Sequence, residues 1–147
     1  MSHTTPVRIE SLQNPLVKEL RSLRERRNRA ESPAFIAEGV SMMGAALDAG
    51  WVPDLVAHDA SAPLRPLLDR AAVAGSHDEV IVTREILAKI TGRDNPPPLI
   101  GRFEEPIRQL EALDPTTSPR WLMLEGVRDP GNLGNSLRSA DAVGAGG

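Results

Sequence analysis

Four short apolar runs, at residues 35–37, 55–57, 80–82 and 99–103, alternate with stretches of helical periodicity. Of all the features in the chain, this alternation limits the fold most. Residues 40–48 set Val40, Met43 and Leu47 on one side, with Gly50 as a stop. Residues 63–74 set Leu64, Leu67, Leu68 and Ala71 on one face ahead of Gly75. The β-branched run Val80-Ile81-Val82 is followed by Thr83, which can cap a short helix burying Ile86, Leu87 and Ile90. Pro96-Pro97-Pro98 suits neither a helix nor a central strand and marks a loop. Strands separated by helices of this size predict an α/β fold, a compact three-layer sandwich over about residues 1–105.

Ahead of these runs, Asn14 and Pro15 form an N-cap and N1 pair, and the spacing predicts a helix over 14–29. Leu16, Leu20, Leu23 and the stem of Arg27 fall on its apolar stripe, opposite Lys18, Arg21 and Arg29. Arg24 and Arg26 flank that face, and Glu25 is spaced to pair with Arg29 or Arg21. The net charge of −3 conceals this concentration: residues 1–30 carry +4 and the other 117 carry −7. A charged helix face is commonly just solvated, but six basic residues within twelve, in an otherwise acidic chain, also suit a phosphate backbone.

The polar, proline-bearing stretch 106–119 reads as a linker with a short helix over 107–113. A second unit, 120–147, opens on Trp121-Leu122-Met123-Leu124, an apolar run suited to a buried strand, followed by a loop and a helix over about 133–143. A Pro-Gly turn between them places backbone N–H groups at a helix N-terminus, where an anion is favoured. On residues alone, Asp129 and Asn132 also serve as ordinary turn and cap residues. The chain lacks cysteine, which removes disulfides, thiolate nucleophiles and cysteine metal sites. His3, His58 and His77 are too scattered for metal-ligand spacing, so no metal is expected. With no long apolar run and no signal-like N-terminus, a cytoplasmic protein is expected.

The segment Asp129-Pro130-Gly131-Asn132-Leu133-Gly134, with Arg138 four residues on, then Ala140-Asp141-Ala142 and Gly144, resembles the first signature motif of SpoU (TrmH)-type RNA 2′-O-ribose methyltransferases. Their catalytic domain is a trefoil-knotted α/β fold. Residues 11–18, the basic run to Arg29, Phe35-Ile36-Ala37-Glu38-Gly39 and Asp94-Asn95-Pro96 resemble the family's N-terminal substrate-binding domain. That domain is similar to a ribosomal protein fold that binds kinked RNA.

The resemblance implies an RNA-binding domain over 1–105, using Lys18, Arg21, Arg24, Arg26, Arg27 and Arg29, joined to the first β-α unit of a catalytic domain. It implies Asn132 and Arg138 as active-site residues and Arg128 as a further RNA contact. An always-charged guanidinium suits Arg138 to stabilising the developing 2′-alkoxide or orienting a phosphate, not to acting as a base. Asn132 suits fixing the loop and contacting the ribose. The methyl donor would be S-adenosylmethionine, held by motifs expected beyond Gly147, so the chain alone is expected to be inactive. The RNA is expected to be rRNA rather than tRNA, and the whole protein a homodimer. The competing reading is a stand-alone RNA-binding module of the ribosomal-protein type, without catalysis.

Overall fold

The computed structural model describes residues 6–24, 33–76, 78–105, 111 and 113–146. It divides into two compact units, Met1–Pro106 and Ile107–Gly147.

The first unit is built on a five-stranded sheet: β1 (Val7–Ile9), β2 (Ala34–Glu38), β3 (Leu55–His58), β4 (Asp78–Val82) and β5 (Leu99–Glu104). The spatial order is β1-β4-β3-β5-β2. β4 runs parallel to β1 and β3, whereas β5 is antiparallel to β3 and β2. Four helices connect the strands: α1 (Pro15–Ser22), α2 (Val40–Asp48), α3 (Arg65–Ala74) and α4 (Arg84–Thr91).

Alternation along the strands divides the core in two. Ile9, Leu55, Ala57, Val80, Val82 and Ile100 meet Val17 and Leu20 of α1 and Ile86, Leu87 and Ile90 of α4. On the other face Ala37, Val56, Leu99 and Phe103 meet Met43 of α2 and Leu68 and Ala71 of α3. The result is the expected three-layer α/β sandwich, with β3 buried along its whole length.

The caps follow from the residues that hold them. Asn14 Oδ1 accepts from Leu16 N–H at 2.9 Å, and Thr83 Oγ1 accepts from Ile86 N–H at 3.2 Å. Gly75, at φ +112°, closes α3 in the left-handed region that disfavours other residues.

Some details depart from the sequence reading. The apolar stripe of α1 is centred on Val17, Leu20 and Leu23, with Leu16 only half-buried. The expected continuation of this helix to residue 29 falls on 25–32, outside the described residues. Val40 is 46% exposed because the inward arc of α2 runs through Met43, Ala46 and Leu47. Three-residue β1 was not anticipated; only Ile9 of it is buried, so it leaves no alternation to read.

Gly101 faces α2 from β5, and a Cβ there would overlap Met43 Cε. Gly101→Val is therefore expected to destabilise this unit by ~1–3 kcal/mol through overpacking. A lowered urea midpoint at unchanged slope is the check.

In the second unit a 3-10 turn (Pro115–Thr117) precedes helix α5 (Pro130–Ala142). Trp121 Nε1 donates to the carbonyls of Pro115 (3.0 Å) and Ser118 (3.1 Å). Arg120 holds the C-terminal end of α5, its guanidinium donating to Val143 O at 2.9 Å. The strand expected at 121–124 is not formed: these residues are exposed and carry no strand pairing among the described residues. A strand is defined by a neighbour's backbone, and this unit offers none. The helix also begins at Pro130, three residues before the expected start, because Asp129 caps it and Pro130 fits its first turn. Most of the expected helix at 107–113 lies outside the described residues. No helix of the described residues is long and apolar enough to cross a membrane.

Candidate nucleic-acid interface and catalytic motif

Lys18 and Arg21 lie on the solvent side of α1, and Arg24 follows just past its C-cap Leu23; all three are exposed. Burial of Val17, Leu20 and Leu23 beneath them fixes this orientation. Among the described residues these three cations enter no ion pair. Several other cations of the first unit are engaged: Arg65 with Asp69 at 2.6 Å, Arg70 with Asp48 at 2.6 Å and Arg93 with Glu38 at 2.9 Å, whereas Arg8, Arg84 and Lys89 likewise enter no ion pair among the described residues. Arg102 is the most tightly held. Its Nε lies 3.0 Å from both carboxylate oxygens of Asp54, and its NH1 reaches Glu19 of α1. The Asp54 hydrogen bonds hold its guanidinium pKa above the usual arginine range. Arg102 thus ties α1 to the sheet, and its charge is compensated. Arg26, Arg27 and Arg29 lie outside the described residues.

Arg24 has a second placement that the sequence does not announce. Its guanidinium packs against Gly92, the left-handed residue ending α4, and so next to Arg93. Arg84 of α4 hydrogen-bonds Asn95 in the following loop. An aromatic group lies nearby: Phe35 stacks on Phe103 at 5.5 Å and meets Trp51 edge-on at 5.9 Å. Sequence reasoning missed Trp51 and Arg93, although one of only two tryptophans in a chain with 3% aromatics was a usable signal.

Two other polar contacts are structural. Buried His58 places Nε2 3.1 Å from Glu79 Oε1, with Arg65 3.7 Å from the same oxygen. Asp59 is held below its ordinary carboxyl range, chiefly by the Ser61 backbone N–H at 2.9 Å. Among the described residues no cluster of three or more His, Cys, Asp or Glu could hold a metal.

In the second unit, Asp129 Oδ1 accepts from Gly131 N–H at 2.7 Å. The anion at this helix N-terminus is therefore the protein's own carboxylate. Asn132 is exposed on the first turn. Arg138 folds back toward that turn, donating to Asn135 Oδ1 at 2.7 Å with its guanidinium beside Gly134. Six positions separate Asn132 from Arg138, about 120° around the helix, so they flank one edge without facing each other. Arg128 is exposed in the preceding loop. None of the described residues of this unit is buried, and they provide no enclosed lining for S-adenosylmethionine. The donor does not fit these residues by themselves.

Residues 14–101 match the MRM3-like substrate binding domain family. A Synechocystis protein named an uncharacterized tRNA/rRNA methyltransferase is 33% identical over 137 residues, covering 92% of this chain and 49% of the relative. The 23S rRNA (guanosine(2553)-2′-O)-methyltransferase of Bacillus subtilis is 26% identical over 92% of this chain and 51% of its own length. A crystal structure of an AdoMet-bound rRNA methyltransferase from Sinorhizobium meliloti superposes with a TM-score of 0.75 at 34% identity, covering 95% of this chain and 52% of that one. The chain spans about half the length of the relatives it matches. With this match over its α/β sandwich and these methyltransferases as its relatives, the chain belongs to the MRM3-like substrate-binding family of SpoU/TrmH-type RNA methyltransferases.

Proposed function

We propose that this chain is the RNA-recognising portion, with the first catalytic motif, of an S-adenosylmethionine-dependent rRNA 2′-O-ribose methyltransferase. The observation that carries this reading is the union, in one chain, of an MRM3-like substrate-binding domain with the motif from Asp129 to Arg138. Residues 1–105 bind RNA, 106–119 link, and 120–147 begin the catalytic domain. Lys18 and Arg21 on α1, with Arg24 just past its end, meet phosphates; Arg26, Arg27, Arg29 and Arg128 extend the contact. Asn132 orients the ribose. Arg138 sets its guanidinium beside the 2′-oxygen and stabilises charge as the proton leaves to a phosphate or water. S-adenosylmethionine supplies the methyl group, and its site is completed by residues outside this sequence. The whole enzyme works in the cytoplasm as a homodimer.

RNA binding by the chain tests the recognition half. Lys18→Gln, Arg21→Gln and Arg24→Gln together are expected to weaken binding of an rRNA fragment by at least about tenfold at 0.1 M salt. The slope of log K against log salt should fall by roughly two to three. An unchanged slope would mean the face is merely solvated. Mapping ribose methylation in cells with and without the intact gene tests the catalytic half. Loss of no methyl mark would favour the stand-alone RNA-binding module.

A further inference from the structure

Among the described residues, strand β2 is an edge of the sheet, paired only with β5. A cavity of 650 Å³ opens along it between Phe35, Trp51, Arg24, Glu38 and Glu105. A second, of 270 Å³, is lined by Glu38, Arg93, Asn95, Pro96 and Pro97. Glu38 lines both, and the larger forms the groove. Phe35 and Ile36 project to opposite faces of the sheet yet both line the larger cavity, so the groove follows the strand edge itself.

Trp51, meeting Phe35 at a steep angle, is 39% exposed. Arg24 supplies the larger cavity with a cation that enters no ion pair among the described residues. Arg93, in the smaller cavity, is already paired with the buried Oε2 of Glu38 at 2.9 Å. The carboxylate left open in the larger cavity is Glu105, which is exposed. A carboxylate repels phosphate, so whatever reaches it must bring hydrogen-bond donors. An exposed indole, an open carboxylate and an unpaired guanidinium together match one unpaired nucleotide, with its base stacked and its phosphates outside.

We propose that the groove along β2 binds a single splayed-out guanine nucleotide of the RNA. Its base stacks on Trp51, its pairing edge donates to Glu105, and its phosphates meet Arg24. Guanine alone presents two adjacent donors, N1–H and the 2-amino group, which fit the two oxygens of one carboxylate. Adenine and cytosine offer a single amino group there, and uracil a single imino N–H. The inference rests on the RNA-recognition reading and adds a base-specific subsite to it.

The test uses the full chain and fluorescein-labelled pentaribonucleotides UUGUU, UUAUU, UUCUU and UUUUU, with binding followed by anisotropy. UUGUU is expected to bind about tenfold more tightly than UUUUU. Replacing Glu105→Gln should bring all four within about twofold. Trp51→Leu should weaken every pentamer by roughly five- to a hundredfold, and Trp51→Phe, which keeps a stacking face, should restore most of the affinity. Urea midpoints of each variant separate stacking from unfolding.

Equal binding of the four pentamers by the unaltered chain overturns the proposal. So does a guanine preference that survives the Glu105 replacement. A polypeptide strand pairing along the β2 edge would show no base preference and falls in the first of these outcomes. If the rRNA fragment still binds through Lys18, Arg21 and Arg24 while pentamers show no preference, the groove falls and RNA recognition stands. If neither RNA binds, both fall.

Discussion

Arg138→Ala, placed in the whole protein and read by the proposed methyl transfer, is expected to lower kcat by about 10²–10³ while changing KM for RNA only a few-fold. In that reaction the ribose hydroxyl would gain negative charge as its oxygen takes the methyl group, and the Arg138 guanidinium would stabilise that charge more than the neutral hydroxyl. The loss would come from chemistry and not from unfolding. Arg138 is exposed and makes a local hydrogen bond to Asn135 within its own helix, the kind of surface contact whose removal costs within about 0.5 kcal/mol. Arg138→Lys keeps the charge but loses the planar fork, and should recover only part of the rate. Single-turnover methyl transfer with saturating RNA is the decisive measurement. A raised KM at unchanged kcat would assign Arg138 to binding.

Phe103→Ala should have the largest effect on stability, about 3–5 kcal/mol. Phe103 is 1% exposed, stacks on Phe35 and lies in the core beneath α2 and α3. Alanine would remove the ring and leave a cavity between sheet and helices. Against a total of ~5–15 kcal/mol for a domain of this kind, the loss leaves the unit marginal. A shift of the urea midpoint at constant slope checks it. RNA binding should survive in the fraction that stays folded, since the exposed face of α1 is not built on this half of the core.

The elements that could be read from the residues are those whose local pattern agrees with their tertiary setting. Residues 55–57 and 80–82 are apolar because β3 and β4 are inner strands, and Thr83 caps a helix through its own side chain. Local pattern misleads where a partner decides. Trp121-Leu122-Met123-Leu124 carries a strand's composition, yet pairing requires a neighbouring backbone. β1 has too little pattern to read and exists because β4 exposes a parallel edge to it. The cap of α5 was legible in principle: Asp129-Pro130 repeats the cap-and-proline signal used for Asn14-Pro15. The interface divides the same way. Charge spacing brought out Lys18, Arg21 and Arg24, but only the packed fold shows that Arg102 is neutralised by Asp54 and Glu19. Nor does spacing indicate that Trp51 shares a groove with Arg24.

The strand order also sets a timetable for the nascent chain. Among the described residues the sheet contains no hairpin between consecutive strands: β2 pairs only with β5, and β1 only with β4. As the ribosome releases the chain, Phe35 must wait for Phe103 before its strand has a partner. At ~5–20 residues per second, that wait lasts several seconds. During it, the β2 edge stands open to chaperones and to wrong partners, and the unit cannot close until its final strand has emerged.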